Sequence, residues 1–137
     1  MCGIAGILDL TGKREPSRAK VERMAEALLH RGPDDKGYLF APGLGLASRR
    51  LSIVGLGDGN QPIFNEDRTV AVVYNGELFD YPERKAELEA KGHVFRTHTD
   101  TEIIVHLYEE HGEDVFQELK GQFALALVDF TKRTVFL

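Results

Sequence analysis

The second residue of the sequence is a cysteine, the only one in the chain. It follows Met1 directly and is small enough for Met1 to be trimmed by ordinary processing. Trimming would leave a thiol and a free α-amine on one carbon. The thiolate is the reactive form of cysteine, and an ordinary thiol ionises near pH ~8.5. An α-amino group ionises near ~7.7–8.0, so much of it is unprotonated at neutrality and can act as general base for its own side chain. Such a residue is an N-terminal nucleophile that needs no histidine. The competing reading is a buried, inert thiol. Position alone leaves both open.

Three further groups could serve a small-molecule reaction. Asn75-Gly76-Glu77 follows the β-branched run at 70–74. An Asn amide and a Gly N–H at a strand end could hold an oxyanion, although Asn-Gly is equally a favoured turn. Arg50 sits among apolar neighbours in a predicted strand, where its fork would suit a carboxylate; the alternative is a solvent-facing edge position. Asp100 precedes a predicted helix and could bind an ammonium group or cap the helix. The five histidines, His30, His93, His98, His106 and His111, match no ligand spacing, and no second cysteine accompanies them. No metal site is expected from them. The Gly-rich stretches at 41–43 and 55–59 are not phosphate loops.

The elements that would position these residues follow from periodicity. Residues 4–10, 38–40, 44–54, 70–74, 93–96 and 123–130 read as strands, with Pro42-Gly43 as a turn. Residues 134–137 would begin a partner for the last strand after a turn at Lys132-Arg133. Helices are predicted after Ser17, with Val21, Met24, Ala25, Leu28 and Leu29 facing the core, and over 82–91 between Asp80 and Gly92. Another begins after Thr99 or Asp100, with a short one around Val115, Phe116 and Leu119.

The chain of 137 residues is 42% hydrophobic and 28% charged, which fits one globular domain rather than a disordered segment. Its net charge of −5 has no basic stripe, so nucleic acid is not expected as a partner. No apolar run approaches the ~18 residues that span a bilayer, and no secretory leader is visible, so no membrane partner and a cytoplasmic location are expected.

Read together, the motifs form an ordered series: Met-Cys-Gly-Ile-Ala-Gly at 1–6, His-Arg-Gly-Pro-Asp at 30–34 and Arg-Leu-Ser-Ile-Val at 50–54. Tyr-Asn-Gly-Glu at 74–77, Thr-Asp-Thr-Glu at 99–102 and Gly-Gln-Phe-Ala-Leu-Ala-Leu at 121–127 continue it. This series resembles the class II glutamine amidotransferase domain, of the N-terminal nucleophile type, of the glutamine-hydrolysing asparagine synthetases. The resemblance covers residues 1–137, taken as the N-terminal part of that domain. Small departures are Leu78-Phe79-Asp80, Gln122 and Gly55, where family members often have Tyr-Asn, Met and Asp.

The resemblance implies an α+β fold: a four-layer αββα sandwich of two antiparallel sheets, continuing beyond residue 137. It implies that Cys2 attacks the glutamine amide while Asn75 and Gly76 hold the oxyanion. Arg50 would clamp the α-carboxylate, and Asp100 with Glu77 and the Gly76 backbone would hold the α-ammonium. The expected partners are L-glutamine and a synthetase domain of the same chain, with a homodimer left open. No cofactor is expected in this segment; ATP and Mg²⁺ would serve the synthetase domain, a carbon–nitrogen ligase amidating aspartate or a related carboxylate. The alternatives are a non-catalytic glutamine-binding or scaffolding relative that keeps Met1, and the amidase domain of another class II amidotransferase.

Overall fold

The computed structural model describes residues 2–52 and 57–137. Its elements run β1 (Gly3–Leu8), α1 (Arg18–Ala27), β2 (Asp35–Ala41), β3 (Leu44–Arg50), β4 (Ile63–Phe64), β5 (Val70–Leu78), α2 (Tyr81–Ala90) and α3 (Thr101–His111). After a 3₁₀ turn at Gly112–Asp114 come α4 (Val115–Glu118), β6 (Gly121–Asp129) and β7 (Thr134–Phe136). The strands form two antiparallel sheets, ordered β1-β3-β2 and β4-β5-β6-β7.

Strand alternation explains how these sheets stack. Along β5, Val70, Val72, Tyr74 and Leu78 face one way and pack with Ile103, Ile104 and Leu107 of α3 and Leu88 of α2. Ala71 and Val73 face the other way and meet Leu44 and Leu46 of β3 across the gap between the sheets. The small Ala71 and Ala126 opposite Leu39, Leu44 and Leu46 let the two inner faces interdigitate. On the far side of β3, Ala47 receives Val21 and Ala25 of α1. The result is the four-layer αββα sandwich expected from the sequence. Among the described residues, no helix is long and apolar enough to cross a membrane.

Several local expectations change. The first strand stops at Leu8 because the Asp9 carboxylate accepts from the Thr11, Lys13 and Arg14 N–H groups and turns the chain. Met24 and Leu29 are exposed, since α1 covers β3 with only a narrow stripe. Residues 93–96 make no strand: the Val94 N–H goes to the Glu66 carboxylate and the Arg96 N–H to that of Glu102, so side chains take the place of a ladder. Asn75-Gly76-Glu77 is not a turn beyond the strand but part of β5, paired with Ala124, Phe123 and Gln122. Asp80 stands at the start of α2 but directs its carboxylate to Arg84 rather than to a helix N–H. Of the strand predicted over 44–54, Ile53 and Val54 lie outside the described residues, as does Gly55.

Gly37 of β2 carries the Gln61 backbone directly against it. A Cβ there would overlap the Gln61 carbonyl, a backbone atom that cannot swing away. Gly37→Ala is therefore expected to destabilise the protein by about 1–3 kcal/mol. It should also displace the segment leading into β4, read out by chemical denaturation and by amide exchange at residues 61, 63 and 64.

Candidate active site

At one end of the sandwich a cavity of about 450 Å³ opens between the sheets. Cys2, Arg50, Asn75, Gly76, Glu77 and Asp100 all line it, so every residue singled out from the sequence converges there. Gln61, Tyr74, Thr99 and Phe123 complete much of the wall.

The arginines show how the backbone aims side chains. Arg49 and Arg50 are adjacent, and both are buried. Alternation sends Arg49 to the α1 face, where its Nε donates to the Ala25 carbonyl at 3.1 Å and its Nη2 pairs with Glu26 at 2.7 Å. Arg50 therefore points to the inner face, with Leu44 and Leu46. Its Nη1 donates to Asn60 Oδ1 at 3.4 Å, and Gly59 has no Cβ to collide with the guanidinium. Cys2 stands beside Leu51: the Leu51 N–H donates to Sγ at 3.4 Å, and the thiol can donate to the Leu51 carbonyl at 3.7 Å. Arg31 Nε anchors the Cys2 carbonyl at 3.1 Å.

The open edge of β5 supplies the opposite wall. Backbone N–H groups of even-numbered residues emerge along this edge. That of Val70 goes to Asn65 Oδ1 at 2.9 Å, and β4 pairs alongside residues 71–72. At Tyr74 the strand partner is replaced by a side chain. Gln61 Oε1 accepts from the Tyr74 N–H at 2.7 Å, and its Nε2 donates to the Tyr74 carbonyl at 2.9 Å. At Leu78 the N–H donates to Asp100 Oδ2 at 2.9 Å. The Gly76 N–H emerges between these two anchors, at the cavity. Asn75 and Glu77 alternate onto the face that looks towards the β1-β3-β2 sheet. Gly76 must lack a side chain because a Cβ would run into the β6 backbone at Gln122 and Phe123.

Asp100 does not cap α3 with its side chain, because its carboxylate is committed to Leu78. Burial raises its pKa, the N–H of Leu78 only partly offsets that, and the nearby Glu77 charge raises it further. Burial also raises the Tyr74 phenol well above its ordinary value, reinforced by the Asp100 and Glu77 charges, so it stays a neutral donor. Among the described residues its buried hydroxyl has no hydrogen-bond partner. Two carboxylates in a partly buried wall favour a cationic ligand group there, and Arg50 favours an anionic one. The cavity is thus suited to a zwitterion beside a thiol.

The model of a glutamine amidotransferase domain family matches residues 1–137. The chain belongs to this family. Among curated relatives, it is 45% identical over 139 residues to asparagine synthetase (glutamine-hydrolyzing) 2 of Bacillus subtilis, covering 100% of this chain and 18% of that protein. It is 42% identical over 129 residues to asparagine synthetase (glutamine-hydrolyzing) 3 of Arabidopsis thaliana, covering 94% and 22%. The chain thus spans about a fifth of the length of these relatives. The glutamine phosphoribosylpyrophosphate amidotransferase of B. subtilis superposes with a TM-score of 0.75 over 95% of this chain and 35% of that one, at 20% identity. The allosteric regulatory enzyme of purine biosynthesis superposes with a TM-score of 0.53 over 66% and 23%, at 25% identity. The first likeness shows a shared fold over nearly all of this chain.

Sequence reasoning missed Gln61 and Tyr74. Gln61 lies in a Gly-rich loop with no motif to mark it, and only its amide geometry against Tyr74 reveals its part. Tyr74 reads as the last apolar residue of a strand.

The Asp100 shift has a direct consequence. Because its folded pKa lies above its unfolded one, the stability it contributes is fully present below the unfolded value and lost as pH rises through the folded value. Asp100→Asn keeps an oxygen for the Leu78 N–H without the charge. Without ligand the variant should melt no lower than the wild type at pH ~7, and any gap should close as the pH is lowered, measured by thermal melts over a pH series.

Proposed function

We propose that this domain hydrolyses the side-chain amide of L-glutamine, releasing ammonia and glutamate. The observation that carries this reading is the convergence of Cys2, the Asn75-Gly76 pair and oppositely charged clamps on one cavity. Arg50 binds the substrate α-carboxylate. Asp100 and Glu77, with the Gly76 backbone, hold the α-ammonium, which relieves the burial of the Asp100 charge. Held at its α-carbon by both clamps, the substrate extends its side-chain amide to Cys2.

With Met1 removed, the Cys2 amine takes the thiol proton and Sγ attacks the amide carbon. The carbonyl π electrons move onto oxygen, where the Asn75 side-chain amide and the Gly76 N–H stabilise the negative charge. Collapse breaks the C–N bond as the amine returns its proton to nitrogen, giving ammonia and a γ-glutamyl thioester. Water, deprotonated by the same amine, then displaces Sγ to give glutamate. Similarity to asparagine synthetases supports a further step in a synthetase domain of a longer chain, with ATP and Mg²⁺ and with aspartate or a related carboxylate as acceptor. At 45% identity to one such enzyme against 20% to the phosphoribosylpyrophosphate enzyme, the comparisons favour the asparagine type over other class II amidotransferases.

The reading is tested on full-length protein whose N-terminus has been verified by intact mass. An electrophilic diazoketone analogue of glutamine is expected to label Cys2 in the trimmed protein and not in one retaining Met1. An unlabelled, trimmed and folded protein refutes the nucleophile and favours a glutamine-binding scaffold. Cys2→Ala should abolish glutamine-dependent synthesis and spare synthesis from free ammonia.

Asn75→Ala should lower kcat for glutamine hydrolysis by roughly 100- to 1000-fold, the effect of removing one oxyanion donor. Arg50→Lys should act mainly on KM. A fall in kcat below tenfold for Asn75→Ala would remove Asn75 from the oxyanion site.

A further inference from the structure

We propose that Glu66, His93, His106 and Glu109 form a structural site for a divalent transition metal of the zinc type, separate from the glutamine cavity. None of the four lines that cavity. The proposal is independent of the glutaminase reading.

The four residues come from three stretches of chain. Glu66 lies between β4 and β5, His93 follows α2, and His106 and Glu109 lie one turn apart on the same face of α3. Their ligand atoms all lie within 4.8 Å of one another. The two imidazole Nδ1 atoms are 3.2 Å apart. From His106 Nδ1, a Glu109 oxygen lies at 3.2 Å and a Glu66 oxygen at 3.3 Å. From His93 Nδ1 the same Glu109 oxygen lies at 3.5 Å and the other Glu66 oxygen at 3.8 Å. A tetrahedral ion with bonds of about 2.0–2.1 Å needs ligand-to-ligand edges of about 3.3–3.4 Å.

The outer nitrogens decide what the inner ones can be. His93 Nε2 is 3.2 Å from a Glu110 oxygen, whereas among the described residues the buried His106 Nε2 has no hydrogen-bond partner, the Glu102 oxygen lying 3.6 Å away. A carboxylate behind an imidazole holds the ring proton on the nitrogen facing it. His93 Nδ1 is then a lone-pair acceptor, and it faces His106 Nδ1 and two carboxylates. With the His106 ring proton on Nε2, four acceptors converge, and a cation satisfies all of them at once. His106 is fully buried, with the Phe95 ring packed against it at 4.4 Å between centroids, so water competes poorly on that side.

A donor set of two nitrogens and two oxygens suits Zn²⁺ better than Mg²⁺ or Ca²⁺, which take six or more oxygen ligands. The ion would tie the β4–β5 connection and the segment after α2 to α3, the helix that begins beside Asp100. The histidine spacing matched no motif because the ligands come from separate elements, and only α3 supplies two.

The test uses the full-length protein, stripped with a chelator and titrated with Zn²⁺ against a chromophoric competitor. Wild type is expected to bind one more equivalent per chain than His93→Asn or Glu109→Gln. Glu110→Gln, a surface change behind His93, should weaken that equivalent by about 10- to 100-fold. Co²⁺ should give the intense visible absorption of a tetrahedral site in wild type and lose it in His93→Asn. Circular dichroism verifies that each variant is folded. Equal zinc stoichiometry in wild type and folded Glu109→Gln, or only the weak absorption of octahedral cobalt, would overturn the site and leave a protonated His–Glu network in its place.

Discussion

Among the described residues, no strand lies beside the outer edge of β5 past Val72, yet its backbone runs on through a partly buried wall. Backbone groups in such a position must find partners or carry a large desolvation cost. Gln61 meets this need at Tyr74 and Asp100 meets it at Leu78, each through a side chain. Because both anchors are side chains rather than a neighbouring strand, the edge between them stays open. The Gly76 N–H emerges in that opening, and the rest of the site is arranged around it.

The charges follow the same constraint. A continuous ladder would leave no room for a ligand, and an unanchored edge would not hold its shape. Asp100 serves both purposes: one oxygen fixes β5, while its charge, raised in cost by burial and by Glu77, favours a cationic group in the cavity. Arg50 provides the opposite sign from the facing sheet. Arg49, one residue earlier, joins β3 to α1 instead. One step of a pleated strand separates a structural arginine from one that faces the cavity.

Helix α3 links these features. Its buried face meets β5 in the core between sheet and helices, and Asp100 immediately precedes it. Glu102, also buried, accepts from the Arg96 and Thr97 N–H groups and from the Thr97 hydroxyl, and so binds the preceding segment to the helix. A turn further on, His106 and Glu109 meet His93 and Glu66. Each of these contacts constrains where Asp100 can stand relative to Leu78.

Much of this was legible in the residues. The apolar alternation at 70–74 and 123–130 and the helical stripes identified the layers, and the ordered motifs pointed to a nucleophile with clamps. Motif order could not show whether Asn75-Gly76 was a turn or a strand, because that depends on β6 standing alongside with register to Gly121. Nor could it show whether Asp100 capped its helix, because the competing donor, Leu78 N–H, lies 22 residues away. The strand expected at 93–96 failed for the same reason: carboxylates from distant segments took its hydrogen bonds. By itself the sequence determined most of the elements, the family and the residues able to do chemistry, since these depend on local pattern and residue type. Only the tertiary structure decided which edge of β5 stays open, which arginine faces the cavity and which histidines meet, because those depend on contacts between residues far apart in the chain.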